Sequence, residues 1–200
     1  MNRVIMKLLL TGAEGMLATA LQKGLPAHWT LFPFGEAQLN ITDPKQVREA
    51  IHRCQPDVII NAAAFTRVDD CEMHQEQAFQ VNGTAVGLLA ETAKSVGALF
   101  VHFSTDYLFD GKSQTPYTEQ TLPCPLSVYG KSKLEGESRI LASGCRYILI
   151  RTQWLYGEGG VHFVRTIRNL AESRPEIRVV DDQIGSPTYA ADLAQATFNL

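Results

Sequence analysis

Tyr129 and Lys133 stand four residues apart in Tyr129-Gly130-Lys131-Ser132-Lys133. If residues 126–143 are helical, the two share one face, and an ammonium can sit beside a phenol whose ordinary pKa is about 10. That makes the phenol a usable proton donor. Alone, this spacing usually marks a solvated helix face. The context lies upstream, where Gly12, Gly15 and Ala18 form a Gly-x-x-Gly-x-x-Ala pattern after an apolar run. Absent or small side chains there let backbone N–H groups approach a pyrophosphate, with Gly12, Gly15, Met16 and Leu17 as candidate contacts. The alternative is a tight strand-to-helix turn that needs glycine only for its backbone angles. An acid–base pair joined to a dinucleotide-binding start suggests hydride transfer.

Such groups need a scaffold. Apolar runs recur at Val4 to Leu10, Thr30 to Phe34, Val58 to Ala62, Leu99 to Phe103, Tyr147 to Arg151 and Ile177 to Val180. Continuous apolar character without alternation is what a parallel sheet covered on both faces requires, and its crossovers must be helices. The expected fold is therefore α/β, a doubly wound parallel, Rossmann-like sheet. Asp43 before Pro44 reads as an N-cap with a first-turn proline, and Gly97 and Gly144 sit where helices should stop. Residues 110–125 turn polar and rich in Gly and Pro, predicting a long loop over the carboxyl edge of the sheet, where ligands bind in such folds. An amphipathic helix is expected from Tyr189 onward. Residues 1–155 are assigned to a nucleotide-binding domain and 156–200 to the start of a small, incomplete carboxyl-terminal substrate lobe.

A chain of 200 residues, 45% hydrophobic, with a formal charge of -3, suffices for one such domain and shows no general excess of positive charge for nucleic acid. Cys54, Cys71, Cys124 and Cys145 are widely spaced without a Cys-x-x-Cys pair, which argues against a zinc site or a disulfide framework and for reduced thiols in cytoplasm. Leu8-Leu9-Leu10 breaks at Gly12 and reaches Glu14, as a buried first strand would and a signal peptide would not. No apolar stretch approaches the roughly 20 residues that cross a bilayer.

About 20 residues past the glycine turn, the end of the second strand meets the adenosine ribose, and a carboxylate there can bind two free hydroxyls. Glu36 is the nearest candidate, with an exposed loop acid as the alternative. Residues 24–44 contain no Lys or Arg to neutralise a 2′-phosphate, so NADH is at least as good an expectation as NADPH. Asn61-Ala62-Ala63-Ala64 ends the third strand with small residues that let the chain pass close to a cofactor; tight packing would ask for the same residues.

Six blocks in order resemble the extended short-chain dehydrogenase/reductases: Thr11 to Leu17, Asn61 to Thr66, Ser104 to Gly111, Tyr129 to Lys133, Arg151 to Gly157 and Asp182 to Thr188. Within that family the resemblance implies reduction of the nucleotide sugar dTDP-4-keto-6-deoxy-L-mannose to dTDP-L-rhamnose, supplying cell-surface polysaccharide. It implies Tyr129 as proton donor and cofactor contact, Thr105 as the hydroxyl on the carbonyl oxygen, with a strand-end hydroxyl bonded to backbone as the alternative, and Lys133 beside the phenol and the nicotinamide ribose. Ser104 is Thr105's rival, but strand alternation lets only one of the two face the pocket. Tyr107 stands where nucleotide-sugar dehydratases carry a second carboxylate, which elimination needs and reduction does not. Thr66, Val68, Tyr107 and Trp154 are the implied substrate contacts, although the two aromatics could be core and Phe65, Arg67 and Asp70 depart from the commoner pattern. Where relatives carry asparagine, this chain has Gly159-Gly160-Val161-His162, so His162 is either a substitute contact or a surface histidine. Asn82 supports a relay water or packs a helix. Some members use magnesium at an acidic dimer contact, which implies a homodimer and a second cofactor, though no acidic cluster here supplies ligands. The other function class open to this scaffold is a non-catalytic nucleotide-binding subunit resembling the regulatory subunit of methionine adenosyltransferase.

Overall fold

Alternate residues of each central strand enter opposite cores, and this is what the continuous apolar runs encode. In the computed structural model, which describes residues 5–200, the chain runs β1 (Met6–Thr11), α1 (Met16–Lys23), β2 (Trp29–Phe34), α2 (Pro44–Cys54), β3 (Val58–Asn61), α3 (Val68–Met73), α4 (Gln75–Phe79) and a π-helical turn at Gln80–Thr84. It continues through α5 (Ala85–Val96), β4 (Leu99–Thr105), α6 (Val128–Ser143), β5 (Arg146–Thr152), β6 (Leu155–Tyr156), α7 (Phe163–Ser173), β7 (Thr188–Tyr189) and α8 (Ala190–Asn199). Leu9, Ile59 and Phe100 pack on α2, α5 and α6 through Val47, Ile51, Leu89 and Ile140. Leu8, Leu10, Ile60, Val101 and Phe103 pack on the other side with Leu17, Ala18 and Leu21 of α1 and Ala194 of α8. Val4, the expected first residue of the first strand, lies outside the described residues.

The five long strands form one parallel sheet in the order β2-β1-β3-β4-β5. The chain steps outward from β1 to β2 and then returns to lay β3 on β1's other side, so the carboxyl ends of β1 and β3 flank the topological switch point where ligands bind in open α/β sheets. Pro33 is tolerated because β2 is an edge strand. Ile59 is fully buried in the first core, and Ile59→Val is expected to cost about 1 kcal/mol, read as a lower urea midpoint with an unchanged slope.

Local signals act as their chemistry demands. Asp43 Oδ1 accepts from the N–H groups of Lys45 and Gln46 at 2.8 and 3.2 Å, and Pro44 opens α2. Gly97 and Gly144 end α5 and α6 in the left-handed conformation at φ 72° and 67°. Residues 109–127 are irregular; the Phe109 and Tyr117 rings stack at 4.2 Å, and the Cys124 N–H returns to the Leu108 carbonyl at 2.7 Å.

Ile177–Val180 is not a strand. β5 is the last strand of the main sheet, and β6 pairs only with β7. Without a ladder partner this apolar run stays irregular and open, Val180 being 70% exposed. α8 returns to the main body, where Phe198 meets Trp29 edge-on at 5.8 Å. No helix among the described residues is long and apolar enough to cross a membrane.

Candidate active site

The cofactor end is built by close approach. Gly12 follows β1 with φ 66°, and a Cβ there would stand 2.7 Å from the backbone of Ala63 and 2.8 Å from that of Ala62. The turn therefore needs glycine both for its angles and for its contact with the end of β3. Gly15 caps α1 without a side-chain hydrogen bond, leaving the first-turn amides, including those of Met16 and Leu17, open at the positive end of the helix. The carboxylate of Glu14 rests against Gly35 at the end of β2, beside exposed Glu36. Sequence spacing led to Glu36 alone; Glu14 enters because the turn doubles back against β2, with the Ala13 N–H bonded to the Phe34 carbonyl at 3.0 Å.

The chemical end lies at the carboxyl edge of β4. Thr105 ends that strand, and its Oγ1 donates to Asp106 Oδ1 at 3.1 Å and accepts from the Tyr107 N–H at 3.2 Å. Helix α6 starts at Val128, capped by Ser127, whose Oγ accepts from the Gly130 N–H at 3.1 Å. A Cβ on Gly130 would run into the Tyr107 carbonyl, so glycine lets the first turn of α6 lie against the residues that follow Thr105. The Tyr129 and Tyr107 rings then meet edge-on at 5.5 Å. Burial pushes the Tyr129 phenol up to about 12, with the Thr105 hydroxyl opposing that shift and the Asp106 carboxylate adding to it. Asp106 is itself raised by burial. A phenol in this setting stays protonated, as a donor must.

Lys133 departs from the simple picture of an ammonium beside the phenol. It is 2% exposed, and its Nζ donates to the Phe103 carbonyl at 2.6 Å and lies 3.1 Å from His102 Nε2. Burial lowers it to about 8, against the attraction of Glu137 one turn on. Glu137 is paired with Arg151 of β5 at 3.1 and 2.7 Å. The i, i+4 spacing places Lys133 on the same helix face as Tyr129, but β4 supplies nearer partners for its amine.

Asn82 sits in the π-helical turn and is 1% exposed. Its Oδ1 accepts from the Phe65 N–H and its Nδ2 donates to the Phe65 carbonyl, both at 2.9 Å, and Nδ2 also reaches Ser132 Oγ at 3.1 Å. The amide thus ties the loop after β3 to α6. Phe65 packs in the small cluster that includes Tyr129, and Thr66 and Val68 follow it, Thr66 exposed and Val68 half-buried at the start of α3. Tyr107 and Trp154 are 41% and 43% exposed, so neither is core. Trp154 adopts a left-handed backbone at φ 45°, unusual for a bulky residue, with Gly185 against its indole and its carbonyl accepting from the Thr188 N–H at 3.2 Å. With its amide turned so that nitrogen faces the carboxylate and oxygen the N–H, Gln153 joins this edge by donating to Asp106 Oδ2 at 3.1 Å and accepting from the Ser186 N–H at 3.0 Å. His162 Nδ1 accepts from the Arg165 N–H at 3.4 Å and caps α7. Ser104 Oγ is buried without a hydrogen-bond partner, whereas Thr105 faces the phenol. No group of three or more His, Cys, Asp or Glu side chains among the described residues could hold a metal ion.

The model of the family described as RmlD substrate binding domain matches residues 6–200. A spore coat polysaccharide biosynthesis protein of Bacillus subtilis is 44% identical over 97% of this chain and 69% of its own length. A dTDP-4-dehydrorhamnose reductase of Burkholderia thailandensis is 41% identical over 96% of this chain and 64% of its own length. The crystal structure of a dTDP-4-dehydrorhamnose reductase from Bacillus anthracis in complex with NADP superposes with a TM-score of 0.95 at 38% identity, covering 98% of this chain and 70% of that one. The chain spans about two thirds of the length of these relatives.

Proposed function

This chain belongs to the RmlD substrate-binding-domain family, and from that premise we propose that it is an NADH- or NADPH-dependent reductase that converts dTDP-4-keto-6-deoxy-L-mannose to dTDP-L-rhamnose. The observation that carries this reading is the junction of β4 and α6. There a buried phenol held protonated at about 12 faces a strand-end hydroxyl, with a buried lysine one turn along the same helix.

The residues fit a dinucleotide. The uncapped start of α1 presents backbone amides to a pyrophosphate, and Gly12 with Ala62, Ala63 and Ala64 keeps the floor of the crevice free of bulk. Glu36, with Glu14 beside it, stands at the ribose end. A bound reduced nicotinamide supplies the hydride. As negative charge grows on the sugar's carbonyl oxygen, Thr105 donates a hydrogen bond to it and Tyr129 transfers its proton. Lys133 supports the phenolate that results and holds the nicotinamide ribose. Tyr107 and Trp154 offer half-exposed aromatic faces to the sugar nucleotide, and Thr66 and Val68 border it. Residues 156–200 contribute to the substrate-facing side, with α8 anchored on α1. A homodimer and a cytoplasmic setting complete the reading; for magnesium, no acidic cluster among the described residues supplies ligands. The relatives named as reductases, together with Thr105, Tyr129 and Lys133, favour it over a regulatory nucleotide-binding subunit.

The test is loss of reduced-nicotinamide absorbance, run separately with NADH and NADPH, when enzymatically prepared dTDP-4-keto-6-deoxy-L-mannose is added. Substrate-dependent loss with at least one cofactor is the expected result. Cofactor binding seen by fluorescence without any consumption would sink the reductase reading.

A further inference from the structure

Beneath the site runs a chain of buried polar side chains that the hydride-transfer chemistry does not by itself require. Thr11 Oγ1 donates to Asn61 Oδ1 at 2.6 Å, Asn61 Nδ2 meets His102 Nδ1 at 3.0 Å, and His102 Nε2 meets Lys133 Nζ at 3.1 Å. Asn61, His102 and Lys133 are each 1–2% exposed, so water does not stand in for a missing partner. The protons along this chain can therefore be counted.

The Ala63 N–H, which can only donate, points at Asn61 Oδ1 at 3.2 Å. That orients the amide: Oδ1 faces Ala63 and Thr11, and Nδ2, a donor, faces His102. His102 Nδ1 must accept, so the imidazole carries its single proton on Nε2. An imidazolium would set donor against donor at Nδ1. The Nε2–H then points at Lys133 Nζ, which accepts only as a neutral amine. Were Lys133 an ammonium in this place, Nε2 would have to accept, Nδ1 would carry the proton, and Asn61 would have to turn its Nδ2 toward the Ala63 N–H.

We propose that His102 is a positioning residue for Lys133: locked by Asn61 as the Nε2–H tautomer, it holds the lysine as a neutral amine, so that the ammonium forms only when the side chain leaves His102. Nζ is faced by His102 and the Phe103 carbonyl from β4 and, along its own helix, by Glu137, whose charge is taken up by Arg151 of β5. His102 lies well below its ordinary value chiefly through burial, which keeps the imidazole neutral, and burial likewise lowers Lys133 to about 8. Because Thr11 immediately precedes Gly12 and Asn61 holds Ala63, one chain of hydrogen bonds joins the cofactor turn to the lysine. The inference rests on the reductase reading only for the use made of Lys133.

The test is nitrogen NMR of histidine-labelled protein, with the His102 signal assigned by its absence from His102→Gln, and carbon NMR of the lysine Cε positions to follow Lys133. His102 is expected to show a proton on Nε2, none on Nδ1, and no titration from about pH 6 to about pH 9. Asn61→Asp should move that proton to Nδ1, because a carboxylate accepts from it. Both Asn61→Asp and His102→Leu should raise the pH at which Lys133 titrates by about one unit, the net worth of one hydrogen bond to the neutral amine. His102→Leu adds no charge, so a rise there is not a Coulomb effect of the new carboxylate. A proton on Nδ1 in the unaltered protein, a charged imidazole, or a Lys133 titration unmoved by His102→Leu would each overturn the proposal. None of these readouts needs turnover, so absence of reductase activity would count against the function alone.

Discussion

Tyr129→Phe is expected to lower the rate of keto-sugar reduction by about 10²–10⁴-fold while leaving cofactor affinity and the unfolding midpoint close to those of the parent. The substitution removes one oxygen from a ring that still fills its place against Tyr107, Phe65 and Val128. What is lost is the proton for the developing alkoxide. The pH profile should carry the same signature. Burial holds the phenol up to about 12, so Tyr129 keeps its proton throughout the working range and adds no alkaline limb below that. Lys133, lowered to about 8 by burial, can take up a proton on leaving His102 only while the pH lies below that value. Reduction should therefore fall on the alkaline side near there, where support for the phenolate is withdrawn. Single-turnover kinetics with preloaded cofactor would read both effects; a Tyr129→Phe rate within tenfold of the parent would remove the phenol from the chemistry.

Gly12→Ala is expected to be the most damaging small substitution at the cofactor end. The left-handed backbone at φ 66° costs a residue with a Cβ about 1–2 kcal/mol. The new carbon would also stand 2.7 Å from the Ala63 backbone, and overpacking of this kind costs about 1–3 kcal/mol. Backbone, unlike a flexible side-chain tip, cannot swing away. Relief requires β1's turn to lift from the end of β3, which opens the crevice at the switch point and misaligns the first-turn amides of α1. Urea unfolding should show a loss of roughly 2–5 kcal/mol, and fluorescence titration should show weakened NADH and NADPH binding. Parent-like stability together with parent-like binding would show that the close approach is dispensable.

Much of this was legible along the chain because its causes are local. A strand buried on both faces must be apolar at every position, so Leu8-Leu9-Leu10 and Val58-Ile59-Ile60 announce themselves. A helix start needs an acceptor for open N–H groups, and Asp43 is one; a helix end that turns left-handed asks for glycine, as at Gly97 and Gly144. The Tyr129–Lys133 spacing is a property of one helix, and the glycine turn a property of one loop. Ile177–Val180 shows the limit of such reading. Apolar composition makes a strand possible, but a neighbouring edge makes it real, and no neighbouring strand pairs with this run.

The residue types, the helix pairing of phenol and amine, the glycine turn and the parallel sheet were thus determined by sequence alone, because each follows from contacts within a few residues or from one strand's burial. Where the lysine's amine points, which hydroxyl faces the phenol, and that Asn61, His102 and Lys133 share one line of protons were decided only by the tertiary structure. Those partners are 41 and 31 residues apart in the chain, and they meet because parallel pairing brings the ends of β3 and β4 side by side beneath α6, in a space too dry for water to replace one of them.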